Sequence, residues 1–295
     1  MIVATLGTDG DDSLTGTSGP DRIFTFAGND TVYGGQGTDI IRGDGGDDFL
    51  VGGIFTDDFI SVENADDLII GGEGNDTILG GSFSTIPFEL ANGQPFEDSR
   101  GVKDGQTAGA GNNALWGGEG NDVIFGGSGN DTIGGSTGSD RIRPRGGDDL
   151  VYGGPGNDSI IKPSGSSVIF GGDGDDSIVA GFQSDTIWGG AGDDTMYGDE
   201  TGFGFGLVSD DNTFSFISGH GDDVIFKYSA SDDTLDLTGL DTRFTSLAEL
   251  ASATESVPFD HFFFNFALRI QTEDGSSILI PFESETSVSE LSVLI

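Results

Sequence analysis

Sixteen aspartates carry the chemistry that recurs along this chain of 295 residues. They are Asp12, Asp21, Asp30, Asp39, Asp48, Asp57, Asp67, Asp76, Asp122, Asp131, Asp140, Asp149, Asp158, Asp176, Asp185 and Asp194. Within two blocks they return every nine residues, with Asn113 and Ser167 in phase where an Asp is missing and one extra residue between Asp57 and Asp67. Each sits in a glycine-rich turn, two residues before an apolar side chain. A carboxylate and several outward-turned carbonyls are hard oxygen donors, and together they make about half of the six to eight ligands that calcium takes. The turn one coil further on can offer the other half.

Positioning so many carboxylates demands a repeating scaffold. Aligning GGEGNDTIL (Gly71–Leu79), GGEGNDVIF (Gly117–Phe125), GGPGNDSII (Gly153–Ile161), GGDGDDSIV (Gly171–Val179) and GGAGDDTMY (Gly189–Tyr197) gives a nine-residue pattern, G-G-x-G-x-D-x-U-x, with U apolar. The phase runs from Gly7 to Ile60, takes one extra residue in Ser61–Ile70, resumes at Gly71, and returns from Ala108 to Tyr197, giving eighteen repeats. The eighth position is apolar in all of them, from Leu14 to Met196. Each repeat therefore reads as a six-residue turn and a three-residue strand whose middle side chain points inward. Such short strands hold only when stacked, about 4.8 Å apart, on strands of other coils. Two repeats per coil give two parallel sheets around a narrow apolar core, an all-β parallel β-roll. Asp12 is then expected to pair with Asp30, Asp30 with Asp48, and Asp21 with Asp39, eighteen residues apart.

Composition agrees. The formal charge is −40, with 51 acidic against 11 basic side chains. That balance argues against nucleic acid and anionic membranes and favours cations. Cysteine is absent, so disulfides and thiolate chemistry are excluded. There is no run of eighteen apolar residues, and MIVATLGTDG at the start lacks the features of a signal peptide.

With those repeats in view, the sequence resembles the repeats-in-toxin (RTX) calcium-binding β-roll family over roughly Gly7 to Phe226, including a terminal repeat SGHGDDVIF (Ser218–Phe226) that adds Asp223. DDTLDLTGL (Asp232–Leu240) and the segment after it resemble the end of secreted members such as the serralysin proteases. The resemblance implies calcium between successive turns of one edge, bound by the aspartates and by backbone carbonyls. The turn glycines it marks are Gly35, Gly37, Gly118, Gly120, Gly127, Gly129, Gly154, Gly156, Gly172, Gly174, Gly190 and Gly192. Eighteen repeats paired two apart allow at most sixteen sites, weakened where Asn113 or Ser167 replaces the carboxylate and where Phe55 or Gln183 replaces the fourth glycine. The resemblance also implies a secreted, extracellular protein. SVSELSVLI (Ser287–Ile295) is similar to the uncleaved C-terminal signal of type I secretion.

The expected organisation is a calcium-binding roll over 1–226, interrupted by an inserted loop at 80–107 and an irregular closing segment at 198–217. A C-terminal cap follows over 227–295, with a short helix at Ser246–Thr254 and a hairpin turning at Asp274-Gly275 within Phe262–Phe282.

No catalytic constellation emerges. The two histidines, His220 and His261, form no H-E-x-x-H, and His220 at a variable turn position reads as a solvated side chain. Gly134–Gly138 matches G-x-S-x-G but lies in phase with the repeat, without a strand-to-helix context. Repeats beginning at Gly7 are expected to leave no room for a catalytic domain.

Counting alternate repeats from the first, one face carries outward Thr15, Tyr33, Val51, Ile70, Trp116, Tyr152, Phe170 and Trp188, and the other carries Arg22, Arg42, Arg141 and Arg143. Trp116, Tyr152, Phe170 and Trp188 thus form an aromatic stripe suited to self-association or to a glycan or protein surface. The functional expectation is a calcium-folded structural or adhesive protein without catalysis. The alternative is an accessory module of a secreted enzyme such as a serralysin or an alginate epimerase.

Overall fold

The computed structural model describes residues 3–53, 67–74, 76–80, 111–198, 211–241, 244, 246–261, 264–282 and 291–295. The chain folds as a parallel β-roll. It forms two compact units, Met1–Val151 and Tyr152–Ile295.

In the first unit, one sheet holds Val3–Leu6, Asp21–Phe24, Ile40–Gly45, Leu68–Glu73, Ala114–Glu119 and Thr132–Thr137 in that order. The other holds Ser13–Thr15, Thr31–Tyr33, Phe49–Val51, Thr77–Leu79, Val123–Ser128 and Arg141–Gly146. All these pairings are parallel and keep eighth residues opposite one another, Ile41 to Ile69 to Leu115 to Ile133 and Val32 to Leu50 to Ile78 to Ile124 to Ile142. Those side chains are fully buried, whereas Leu14 on an end strand is half-buried. Each buried Leu or Ile contributes about 1.5–3 kcal/mol. Several strands run on into the turn, as Gly72 and Glu73 pair with Gly118 and Glu119.

Direct pairing of Leu68–Glu73 with Ala114–Glu119 and of Thr77–Leu79 with Val123–Ser128 continues both sheets past the aperiodic insertion. Residues 81–107 of it lie outside the described residues, as do the first three residues of the repeat that follows, 108–110.

The expected register fails at one place. Ile41 pairs with Ile69 and Leu50 with Ile78, so this coil holds one repeat more than its neighbours. The repeat of Asp57 and Phe59 lies outside the described residues. Odd and even repeats exchange sheets there, which corrects the two faces. Thr15, Tyr33 and Val51 share a sheet with Arg141 and Arg143, while Arg22 and Arg42 share one with Ile70 and Trp116. A strict period of nine cannot reveal a three-repeat coil, because the turn residues are the same in either register. Val51, Leu79 and Phe125, outward on the second sheet, are fully buried and pack with Tyr33, Phe49 and Val123.

In the second unit, Val168–Asp173, Thr186–Ala191, Thr213–Ile217, Thr234–Gly239 and Ser292–Leu294 form one parallel sheet. Thr213–Ile217, inside the stretch read as irregular, is thus a strand, with Phe214 opposite Ile187. The other sheet begins with Ser159–Ile161, Ser177–Val179, Thr195–Tyr197 and Asp222–Phe226. Ser277–Phe282 joins it in parallel, and Phe264–Gln271 and Thr254–His261 then add antiparallel. The hairpin turns at Gly275 (φ 97°), and a helix, Leu247–Ser252, is capped by Ser246. Among the described residues no helix is long and apolar enough to cross a membrane.

Candidate metal centre

One turn shows how the others work. In Gly171–Asp176, Gly172 (φ 133°) and Gly174 (φ 124°) hold the left-handed backbone that bends the chain back. Gly171 is needed for a different reason. A Cβ there would collide with Asp176 Oδ2 of its own turn and with the Gly189 carbonyl oxygen one coil on. The turn therefore folds its carboxylate back over its first residue, next to a carbonyl of the following coil. The same two kinds of atom confront a Cβ at Gly34, Gly71, Gly117, Gly126 and Gly153, and at Gly52, where the carboxylate is that of Asp67.

The two oxygens of each aspartate have separate duties. Oδ1 accepts a hydrogen bond from the backbone N–H of the aspartate one coil earlier. On one edge this ladder links Asp12, Asp30, Asp48, Asp76, Asp122 and Asp140 at 2.7–2.9 Å. In the second unit it links Asp158, Asp176, Asp194 and Asp223 at 2.8–2.9 Å. The opposite edge has Asp21, Asp39, Asp67, Asn113, Asp131 and Asp149, then Ser167, Asp185, Asn212 and Asp233 in the second unit. Asp12 with Asp30, Asp30 with Asp48, and Asp21 with Asp39 stand as the spacing predicts. Asp39 and Asp48 instead pair with Asp67 and Asp76, 28 residues on.

Oδ2 is the open atom. In Asp30, Asp48, Asp76, Asp122, Asp176 and Asp194 it is buried and has no hydrogen-bond partner. A buried polar atom left this way is expensive. Burial, reinforced by neighbouring carboxylates, pushes Asp48 up to about 6, Asp122 and Asp176 to about 7, and Asp76 and Asp194 to about 8. Among the described residues no three His, Cys, Asp or Glu side chains converge on one point. Any ion here would take most of its shell from carbonyls. An oxygen-only donor set of carboxylates and carbonyls suits a hard cation of the calcium type.

These values fix a sign. The open-chain carboxyl titrates near 3.8 and the folded ones near 6–8, so the metal-free fold is favoured at low pH and loses that contribution as pH rises through 6–8. In chelator, lowering pH from 8 to 5 should raise the far-ultraviolet β signal. A spectrum unchanged across that range would contradict the assignment.

The ends of the edges are closed by the protein. Thr8 and Thr17, each through its N–H and Oγ1, donate to Oδ2 of Asp12 and Asp21. At the far end Ser229 N–H donates to Asp233 Oδ2 at 2.7 Å, and His220 Nδ1 lies 2.7 Å from Asp223 Oδ2. His220 is buried, not solvated, because the third turn position here faces the Phe216 ring and the Asp223 carboxylate. The rungs of Asn212 and Asp233 were not singled out in the sequence, although Asn212-x-Phe214 and Asp233-x-Leu235 repeat the D-x-U signal.

The marked glycines hold the bends. Gly35, Gly37, Gly118, Gly120, Gly127, Gly154, Gly156, Gly172, Gly174, Gly190 and Gly192 have φ between 106° and 142°. Gly129 instead sets its carbonyl against Gly147 one coil on. Gln183, at a fourth position, adopts the glycine conformation (φ 86°), and its Oε1 accepts from the Gly165 N–H. Ser136 of the G-x-S-x-G match sits at a second turn position (φ 85°) in a parallel strand, with no helix following.

A family model, the RTX calcium-binding nonapeptide repeat in four copies, matches residues 6–41, 27–58, 55–85, 107–142, 135–160 and 167–200. The chain belongs to this RTX family. Its nonapeptides are the turns and strands described above, and the family is a calcium-binding one. Among solved structures, the RTX chain is similar to the extracellular lipase LipA from Serratia marcescens, at 17% identity and a TM-score of 0.30. That match covers 99% of this chain and 40% of the lipase chain, so the chain spans less than half of the lipase's length. Comparison with curated proteins gives no match.

Proposed function

We propose that this chain is a secreted, non-catalytic RTX β-roll that folds outside the cell as calcium fills the slots between successive turns. The ligands are Oδ2 of the ladder aspartates, Asp30 to Asp140 and Asp158 to Asp194 above all, with carbonyls of the turn glycines. The observation that carries this reading is the buried Oδ2 left without a hydrogen-bond partner in Asp30, Asp48, Asp76, Asp122, Asp176 and Asp194. Calcium supplies the positive charge that lets those carboxylates stay ionised inside the fold. Export in an unfolded form, by type I secretion, fits metal-dependent folding, because extracellular calcium modules work at roughly 10⁻⁴–10⁻³ M.

Replacing Asp122 and Asp176 with Asn tests the ligand assignment. The amide keeps Oδ1 for the ladder, as Asn113 does, but removes the anionic oxygen. Native mass spectrometry should count at least one calcium fewer per substitution, with the β spectrum retained. An unchanged count would refute these ligands.

A structural or adhesive role is supported by the second unit's outer face. Tyr152, Phe170 and Trp188 stack on consecutive coils at 5.1 and 4.6 Å, nearly parallel, and Tyr152 is 38% exposed. In the first unit, the Trp116 ring lies across Gly134, where a Cβ would strike it. The second unit's ladder is the proposed contact surface for another copy, a glycan or a protein. Tyr152→Ser with Trp188→Ser should leave calcium-driven folding intact and weaken self-association in sedimentation or binding in surface assays. Wild-type behaviour in both would reduce the ladder to a sheet-stabilising stack.

A further inference from the structure

In each unit one edge departs from the aspartate rule, and where the sixth residue is Asn its amide nitrogen stands where a carboxylate oxygen would. Asn113 Oδ1 accepts from the Asp67 N–H at 3.0 Å, as an aspartate would, while Nδ2 donates to the carbonyls of Gly111 (3.2 Å) and, one coil on, Gly126 (3.3 Å). Asn212 repeats the device, with Oδ1 on the Asp185 N–H at 2.9 Å and Nδ2 donating to the Gly198 carbonyl at 2.6 Å.

The turn at 162–167 reads Lys-Pro-Ser-Gly-Ser-Ser, so the first glycine and the sixth aspartate are replaced together. Geometry links the two changes. In regular turns the first residue's Cβ direction leads straight to the sixth residue's Oδ2, as at Gly126, Gly153 and Gly171. With Ser167 that carboxylate is gone, and a long side chain fits at the first position. Lys162 is fully buried. The rest of the turn keeps its form, since Ser167 N–H still donates to Asp185 Oδ1 at 2.7 Å and Val168–Asp173 stays in register with Thr186–Ala191. A buried ammonium requires oxygen acceptors, and the turns of this fold line their slots with carbonyls and carboxylates.

We propose that Lys162 is a built-in cation whose ammonium takes the place of a calcium ion at the 162–167 turn, as the amides of Asn113 and Asn212 do at theirs. The inference rests on the calcium reading of the regular turns. It divides this edge, in each unit, into short calcium columns separated by calcium-free rungs, so the chain holds fewer ions than its repeat count allows.

Calcium is counted by native mass spectrometry at saturating metal, with circular dichroism reporting the fold and the calcium midpoint. The double variant Lys162→Gly/Ser167→Asp and the single variant Asn113→Asp should each bind at least one calcium more than wild type. Lys162→Met should keep the wild-type count but shift the folding midpoint several-fold upward, because the slot has lost its charge. Folded gain-of-ligand variants with the wild-type count, or a Lys162→Met chain with the wild-type midpoint, overturn the proposal. If the double variant does not fold, Asn113→Asp and Lys162→Met decide. Wild type binding no calcium would sink the underlying reading, whereas normal binding without gain in the variants sinks the internal cation alone.

Discussion

In chelator at pH 8 the chain is expected to be largely unfolded, and millimolar calcium should restore the β signal in one cooperative step. Each coil brings only two inward side chains to a narrow core, while stacking aspartates of which Asp30, Asp48, Asp76, Asp122, Asp176 and Asp194 bury an Oδ2 with no hydrogen-bond partner. Against a net charge of −40, that core does not hold closely spaced carboxylates ionised. Metal binding then becomes folding free energy. Cooperativity follows because each ion joins two turns, so a filled slot orders the next. Magnesium should fail at the same concentration, since it requires a small octahedral shell and gives up its water reluctantly. Circular dichroism with each ion in turn decides it. A full β spectrum in chelator would remove metal from the account of the fold.

Gly171→Ala should be nearly as damaging, although it adds only one methyl group. The new Cβ has no free direction, because it meets Asp176 Oδ2 on one side and the Gly189 carbonyl on the other. The carboxylate can swing away only by leaving the slot, and the backbone carbonyl cannot move without breaking the register of the next coil. Overpacking of this kind costs about 1–3 kcal/mol, and the displaced ligand adds to it. The calcium midpoint should rise at least tenfold. Gly19→Ala is the control. A Cβ there meets nothing within 4 Å, and restricting the open chain should make the change neutral or stabilising by about 0.4–1 kcal/mol. Equal midpoints for the two variants would show that the first glycine serves flexibility and not space.

The contrast shows what could be read without a structure. The eighth-position side chains and the sixth-position aspartates were legible because period and residue type change together there. The same signal placed Ile78 opposite Ile124 in all but number. It did not disclose the coil that carries a third repeat between Val51 and Asp67, since an extra nonapeptide leaves the phase almost intact. The face assignment inverted for that reason. Nor could it separate the two oxygens of one aspartate, because the hydrogen bond from a neighbouring N–H depends on stacking distance. His220 was misread because a variable position in a repeat carries no periodic information, and only the position of Asp223 Oδ2 makes it a partner. Lys162 and Ser167 were visible as departures, but their connection lies in the direction of a Cβ that the glycine repeats do not possess.

The aspartate ladder also gives the molecule an arrow. Every rung is completed from the same side: Asp158 N–H by Asp176, Asp176 N–H by Asp194, Asp194 N–H by Asp223. A coil is therefore never finished by its own sequence, and its last buried donor waits for the coil after it. Fifth-position side chains answer in the opposite sense, Asp175 N–H donating to Asn157 Oδ1, Asp193 N–H to Asp175 Oδ1 and Asp222 N–H to Asp193 Oδ1, so an inner coil leans on both of its neighbours. Only the final rungs have no later aspartate to lean on, and there His220 and Ser229 answer Asp223 and Asp233 from within the protein.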